Sequence, residues 1–268
     1  MCGIVGYVGP RPSQAILLAG LARLEYRGYD SAGIAVIDDS GELGMRKRAG
    51  KLSVLSENLA ADPLPAGTTG IGHTRWATHG GPTDVNAHPQ LADDDRLAVI
   101  HNGIIENFAE LKAELIAEGY TVRSETDTEV AAVLLGREYR KSEDLETAFR
   151  NTVSRLDGAF TLLAVHKDQP GLVVGARRNS PLVIGLGEGE NFLGSDVAAF
   201  VEHTRRALAI GQDQIVAITP DGVTVPDFFG SPVEVAPCDV MWVASAAEHG
   251  CWSCLMAKED SEEPVPGA

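Results

Sequence analysis

The sequence predicts an α+β fold built on antiparallel sheets, and three observations carry that expectation. Strand-like and helix-like segments come in blocks rather than in strict alternation, which disfavours a doubly wound parallel sheet. Across residues 159–225, short apolar runs recur between Gly, Pro and Asp turns, the spacing of antiparallel pairing. No G-x-G-x-x-G follows a strand-like run, so a dinucleotide-binding fingerprint is missing.

Taken in order, residues 3–8 read as a short apolar strand punctuated by glycine. Ser13 is placed to cap a helix whose apolar face is Ile16, Leu17, Leu21 and Leu24. Residues 34–37 and 43–47 read as strands joined by an Asp-Asp-Ser-Gly turn. A turn-rich stretch with Pro63, Pro65 and Gly67 follows residues 52–60. Residues 70–76 and 97–103 read as buried strands, with a long loop between them carrying Gly80, Gly81, Pro82 and Pro89. Asn107 with Glu110, and Thr126 with Glu129, have capping-box spacing and open two helices, the first ending near Gly119 and the second covering residues 130–140. Ser142 is placed to cap a third helix, with Leu145, Phe149, Val153 and Leu156 on one face. Residues 160–165, 172–176, 182–186, 192–194 and 215–218 then read as strands.

The 268 residues give room for one large domain or two small ones. A 44% hydrophobic and 22% charged composition is that of a soluble globular chain, and no apolar run approaches a membrane span. The net charge of −16 argues against nucleic acid or an anionic membrane as a partner, because both need a basic surface. Of the cysteines Cys2, Cys238, Cys251 and Cys254, three fall late in the chain, which is no disulfide framework. The opening lacks a secretory h-region, since Gly3, Gly6 and Gly9 interrupt it; a reducing cytoplasm is the expected compartment.

Cys2 follows Met1 directly. Removal of Met1 gives one residue both a thiol and a free α-amine. The amine's ordinary pKa of about 7.7–8.0 leaves a useful neutral fraction near pH 7, so nucleophile and base coincide. A buried first-strand thiol is the alternative for Cys2 taken alone.

Three further polar clusters sit at strand ends or helix starts: residues 73–80 (HTRWATHG), 101–107 (HNGIIEN) and 124–129 (SETDTE). With the opening and residues 25–33 (EYRGYDSAG), they closely resemble, in order, the glutaminase domain of the glutamine–fructose-6-phosphate aminotransferases, which are class II glutamine amidotransferases. The resemblance covers about residues 1–240. It implies a four-layer N-terminal nucleophile hydrolase sandwich, with two antiparallel sheets between helical layers. It implies that Met1 is removed and that Cys2 attacks the side-chain amide of L-glutamine, with its own α-amine as base. Asn102, through its side-chain amide, and Gly103, through its backbone N–H, match the oxyanion donors. Arg75 matches the group that grips the substrate carboxylate, and Asp127 the one that binds its amine. Trp76, Thr78 and His79 match a loop that closes over glutamine; Arg27 and Gly28 match a pocket-lining segment with no individual chemistry assigned.

Several of these residues also have a plainer explanation. Asn-Gly is the strongest short signal for a hairpin turn. Arg75 suits a surface ion pair, Asp127 suits a helix N-terminus, and Trp76 suits a core. His73, His79, His88 and His101 cluster in sequence, but no H-E-x-x-H or paired C-x-x-C accompanies them, so no metal or other cofactor is expected. The Cys251–Cys254 spacing is that of a redox pair without the usual βαβ context.

Residues 245–250 and 256–259 resemble the family's interdomain connection, so residues 241–268 are expected to be a remnant of it ending in a mobile acidic tail, with no sugar isomerase domain. The expected partners are L-glutamine and a separate isomerase or other ammonia-accepting subunit. Two functions remain in view from the sequence: an active glutaminase, and a non-catalytic, regulatory glutamine-binding module.

Overall fold

The computed structural model describes residues 2–92, 94–235 and 237–239. Two antiparallel sheets lie face to face. The first has eight strands in the order β14-β11-β9-β10-β1-β4-β2-β3: β1 Gly3–Val8, β2 Ser31–Ile37, β3 Leu43–Ala49, β4 Thr69–Arg75, β9 Val183–Leu186, β10 Asn191–Gly194, β11 Arg206–Ala209 and β14 Pro237–Asp239. The second has six in the order β13-β12-β8-β7-β6-β5: β5 Gln90–Ala92, β6 Leu97–Ile105, β7 Gly158–His166, β8 Val173–Arg178, β12 Gln214–Ile218 and β13 Val223–Thr224. Helices α1 (Ser13–Leu24) and α2 (Leu52–Ala61) cover the first sheet; α3 (Phe108–Ala117), α4 (Asp127–Ser142) and α5 (Leu145–Val153) cover the second.

The period-2 alternation of strands builds this layering. In β1, Val5 and Tyr7 join Leu17, Leu21 and Leu24 of α1, while Ile4 and Val8 point into the space between the sheets. In β6, Leu97 and Val99 pack against the α4 side, while Ala98 and Ile100 meet Ile4, Ile37 and Ile71 from the opposite sheet. The expected four-layer sandwich is therefore the fold. Residues 241–268, including the expected connection remnant, mobile tail and Cys251–Cys254 pair, lie outside the described residues.

Three expected caps differ in detail. Ser13 is the first residue of α1, not its cap; its Oγ donates instead to the Gly67 carbonyl at 2.8 Å, tying the helix to the loop before β4. Asn107 sits at the cap position of α3 but spends its amide elsewhere: Nδ2 donates to Arg155 O and Oδ1 accepts from Asp157 N. Ser142 ends α4, and Asp144 caps α5 by accepting from Thr147 N at 2.8 Å. Thr126 does cap α4, accepting from Glu129 N, but the Glu129 carboxylate reaches back to the N–H groups of Arg123 and Ser124. That bond set ties residues 123–126 to the first turn of α4. Strands β5, β11, β13 and β14 were not expected; they have two to four residues each, too few for an alternation to register.

Candidate active site

The same alternation that sorts the core brings the polar residues together. Cys2 precedes Ile4 by two residues, Asn102 follows Ile100 by two, and His73 and Arg75 follow Ile71 by two and four. All four positions belong to the inward faces, at one end of the space between the sheets.

Cys2 Sγ accepts the Trp76 backbone N–H at 3.1 Å. Asn102 Nδ2 donates to the Cys2 carbonyl at 2.9 Å, and Asn102 Oδ1 lies 2.9 Å from His73 Nε2. Burial pushes the Cys2 thiol above its ordinary pKa; the Trp76 N–H bond works in the opposite direction. The thiol is therefore held protonated near neutrality and needs a base to become a nucleophile.

Asn102 and Gly103 do not form a hairpin turn. They lie within β6, opposite Thr161 and Phe160 of β7. Gly103 has φ +112°, and an added Cβ would lie 2.0 Å from the Ala159 carbonyl oxygen, so only glycine fits.

Arg75 is buried and does not sit in a surface ion pair: its guanidinium donates to the carbonyls of His79, Gly80 and Gly81, folding that loop around itself. Asp127, the first residue of α4, accepts the Ile105 N–H at 2.9 Å and sits near His101 Nδ1. Trp76 is not core filler; it is 49% exposed and meets Tyr29 edge-on at 5.4 Å. Asp30 accepts the Ala77 N–H and so holds the backbone beyond Trp76.

These residues surround a cavity of about 750 Å³, large enough for a small polar metabolite. Cys2, Arg27, Arg75, Trp76, Thr78, Asn102, Gly103 and Asp127 all line it. Arg27 is fixed there by a buried ion pair with Asp196 at 3.1 Å. Two expected residues stand back from the wall. His79 packs edge-on against Phe108, and Gly28 lies against the Arg75 backbone, where a Cβ would come within 2.8 Å of the Arg75 carbonyl carbon.

The sequence reading assigned no site role to His73, His88, His101 or Thr126. His88, His101 and Thr126 line the cavity, and His73 stands behind Asn102. Burial depresses all three histidines, His73 to about 3. Among the described residues, no group of three or more His, Cys, Asp or Glu side chains is arranged to hold a metal ion. No helix of the described residues is long and apolar enough to cross a membrane.

The histidines predict a pH dependence. A histidine whose folded pKa lies below its unfolded value near 6.5 binds fewer protons folded than unfolded between those values, so stability falls as pH falls through that window. Urea unfolding at pH 6 and pH 5 should show a loss of at least about 1 kcal/mol per pH unit, one proton's worth from His73 alone, with His88 and His101 adding in the same direction. A loss of under about 1 kcal/mol would mean that these rings are solvated or paired.

The family model described as a glutamine amidotransferase domain matches residues 73–202. A glutamine–fructose-6-phosphate aminotransferase (isomerizing) of Leifsonia xyli is 74% identical over 264 residues, which is 98% of this chain and 43% of that protein. The chain belongs to the glutamine amidotransferase family. Its counterpart in Streptomyces coelicolor, with the same name, is 61% identical over the same shares. The chain thus spans under half the length of the curated relatives it matches, and corresponds to their glutaminase portion. The glutamine phosphoribosylpyrophosphate amidotransferase of Bacillus subtilis superposes with a TM-score of 0.72 at 28% identity, over 85% of this chain and 49% of that one. This amidotransferase fold, an N-terminal nucleophile sandwich, is what the layering of the two sheets displays.

Proposed function

We propose that the chain hydrolyses the side-chain amide of L-glutamine through Cys2, releasing glutamate and ammonia. The observation that carries this is the Cys2 thiol at the wall of a cavity, with the Asn102 amide bonded to the Cys2 carbonyl. With Met1 removed, the free α-amine takes the thiol proton and Sγ attacks the amide carbon. The developing oxyanion is met by the second Nδ2–H of Asn102 and the Gly103 N–H. The amine returns the proton to the departing ammonia, and water then cleaves the thioester by the same route. Arg75 holds the substrate carboxylate and Asp127 its ammonium, while Trp76, Thr78 and the loop carrying His79 cover the site; Arg27 lines the wall, and Gly28 lets the chain pack against the Arg75 backbone.

Residues 1–240 form the catalytic domain in this reading. The ammonia acceptor is an isomerase unit of the kind named in the relatives, and the compartment is the cytoplasm. That the relatives are named as aminotransferases supports catalysis over a non-catalytic regulatory module. The test is glutamate release from glutamine by the purified chain, with intact mass establishing loss of Met1. No glutamate from a correctly processed sample would remove the proposal.

Arg75 carries a dependent prediction. Its planar fork serves the loop carbonyls of residues 79–81 and faces the cavity, two tasks a lysine cannot share. Arg75→Lys should raise KM for glutamine by about tenfold or more, the loss of one charge-assisted hydrogen bond. An unchanged KM would clear Arg75 of substrate binding.

A further inference from the structure

We propose that His73 is a positioning residue for amide hydrolysis: its Nε2–H holds the Asn102 side chain in the one orientation that presents an N–H to the oxyanion. The proposal rests on the reading of Asn102 as an oxyanion donor.

The bond directions follow from which groups can donate. The Cys2 carbonyl only accepts, so the Asn102 atom 2.9 Å from it is the amide nitrogen. Asn102 Oδ1 then faces His73 Nε2 at 2.9 Å, and an amide oxygen also only accepts. His73 must therefore carry its proton on Nε2. Its Nδ1 is buried with no hydrogen-bond partner, which a bare ring nitrogen tolerates better than an N–H does. Burial, which lowers the His73 pKa to about 3, keeps the ring in this neutral form at working pH.

The ring is itself confined. His73 is fully buried in the middle of β4, opposite Ile4 of β1 and Gly33 of β2. His88 packs tilted against it with ring centroids 4.4 Å apart, and His88 Nδ1 lies 3.4 Å from His73 Nε2. Gly33 leaves the room this needs: a Cβ there would lie 2.1 Å from the His88 carbonyl oxygen.

Asn102 comes from the six-stranded sheet, whereas His73 belongs to the eight-stranded one and Cys2 immediately precedes its strand β1. The amide is thus held at both edges by the opposite sheet. The Cys2 carbonyl takes one Nδ2–H, and the other Nδ2–H remains for the substrate. Without His73, Asn102 keeps a single tether, and rotation about the Cβ–Cγ bond carries the free N–H away from the oxyanion. A misplacement of about 1 Å in such a group costs up to about 100-fold in rate.

The experiment compares His73→Leu, His73→Gln, Asn102→Ala and the double variant His73→Leu/Asn102→Ala in processed, folded protein. The readouts are kcat and KM for glutamine and the affinities for glutamate and for its γ-semialdehyde. Cys2 Sγ adds to the aldehyde carbon and the thiol proton passes to the aldehyde oxygen, giving a tetrahedral adduct that uses the same donors. His73→Leu should lower kcat and semialdehyde affinity together by about 10- to 100-fold, leaving KM and glutamate affinity within about twofold. His73→Gln, which retains an N–H near the Nε2 position, should recover most of the loss. The double variant should be no slower than Asn102→Ala, since His73 acts through that amide. Wild-type kcat in His73→Leu, no recovery in His73→Gln, or losses that multiply in the double variant would each overturn the positioning role. Wild-type kcat in Asn102→Ala would instead overturn the oxyanion reading, and the proposal with it. If His73→Leu does not fold, His73→Met takes its place as the donor-free variant.

Discussion

Cys2→Ala should abolish glutamine hydrolysis, taking kcat to the limit of detection while the unfolding midpoint moves little. The side chain loses one sulfur atom at the cavity wall, with the hydrogen bond it accepts from the Trp76 N–H, and residue 2 lies before β1 rather than in the core, so the stability cost should be small. The chemical loss has no such limit, because the remaining groups at the site are donors and charges rather than nucleophiles. Arg75 is tied to carbonyl oxygens, Asn102 is an amide, and the hydroxyls of Thr78, Thr126 and Ser180 are far weaker nucleophiles than a thiol near neutrality. The measurement is glutamate formed per enzyme over hours, together with glutamate binding by calorimetry. Glutamate affinity should survive, since the groups assigned to the α-carboxylate and α-amine, Arg75 and Asp127, are untouched. Turnover by Cys2→Ala within about tenfold of wild type would mean that another residue performs the attack.

The parts of this molecule that the sequence made legible are those with long periodic runs or side chains in a fixed order. The helix faces of α1 and α5 follow from periodicity, because burial on one face leaves a repeating signature; β1, β6 and β7 are legible as apolar runs but, buried on both faces, carry no alternation that says which residues point between the sheets. The fourfold layering did not follow from periodicity; it came with the resemblance, which the two sheets and the relatives uphold. Cap assignments failed where a side chain had a tertiary partner: Ser13 turned to Gly67, and Asn107 to Arg155 and Asp157. The histidines show the same limit at the site. His73, His88 and His101 stand in the sequence as a loose cluster without ligand spacing. Only strand register sends His73 into the sheet interface and His101, one residue before Asn102, to the opposite face against Thr128 of α4. A one-residue difference in β6 decides which side of the sheet a polar group serves, and that cannot be read without knowing the strand's partners.

Retention of Met1 should lower kcat by about 100- to 10,000-fold, the usual contribution of a positioned general base, even though every side chain at the site is unchanged. The argument starts from the thiol. Burial raises the Cys2 pKa above the ordinary value, so at pH 7 almost none of it is thiolate, and attack requires a proton acceptor next to Sγ. Three acceptors are conceivable from their chemistry. His88 and His101 line the same cavity, each with a buried Nε2 lacking a hydrogen-bond partner. Both have pKa values depressed by burial, which makes them poor bases for a thiol whose own pKa is raised. The α-amine of Cys2 is the third, two bonds from Cβ and with an ordinary pKa of about 7.7–8.0. With Met1 retained, that nitrogen becomes an amide with no basic lone pair, and the new amine sits one residue further along the chain, about 3.8 Å away at Cα. The test compares a verified Met1-retaining sample with processed protein, reading kcat against pH. The processed enzyme should lose kcat as pH falls through the amine's pKa, because protonating the base removes the acceptor. The retained form should be slow at every pH while still binding glutamate. Equal turnover in the two samples would assign the proton to a cavity histidine instead, and Met1-retaining protein carrying His88→Leu or His101→Leu would then identify which ring accepts it.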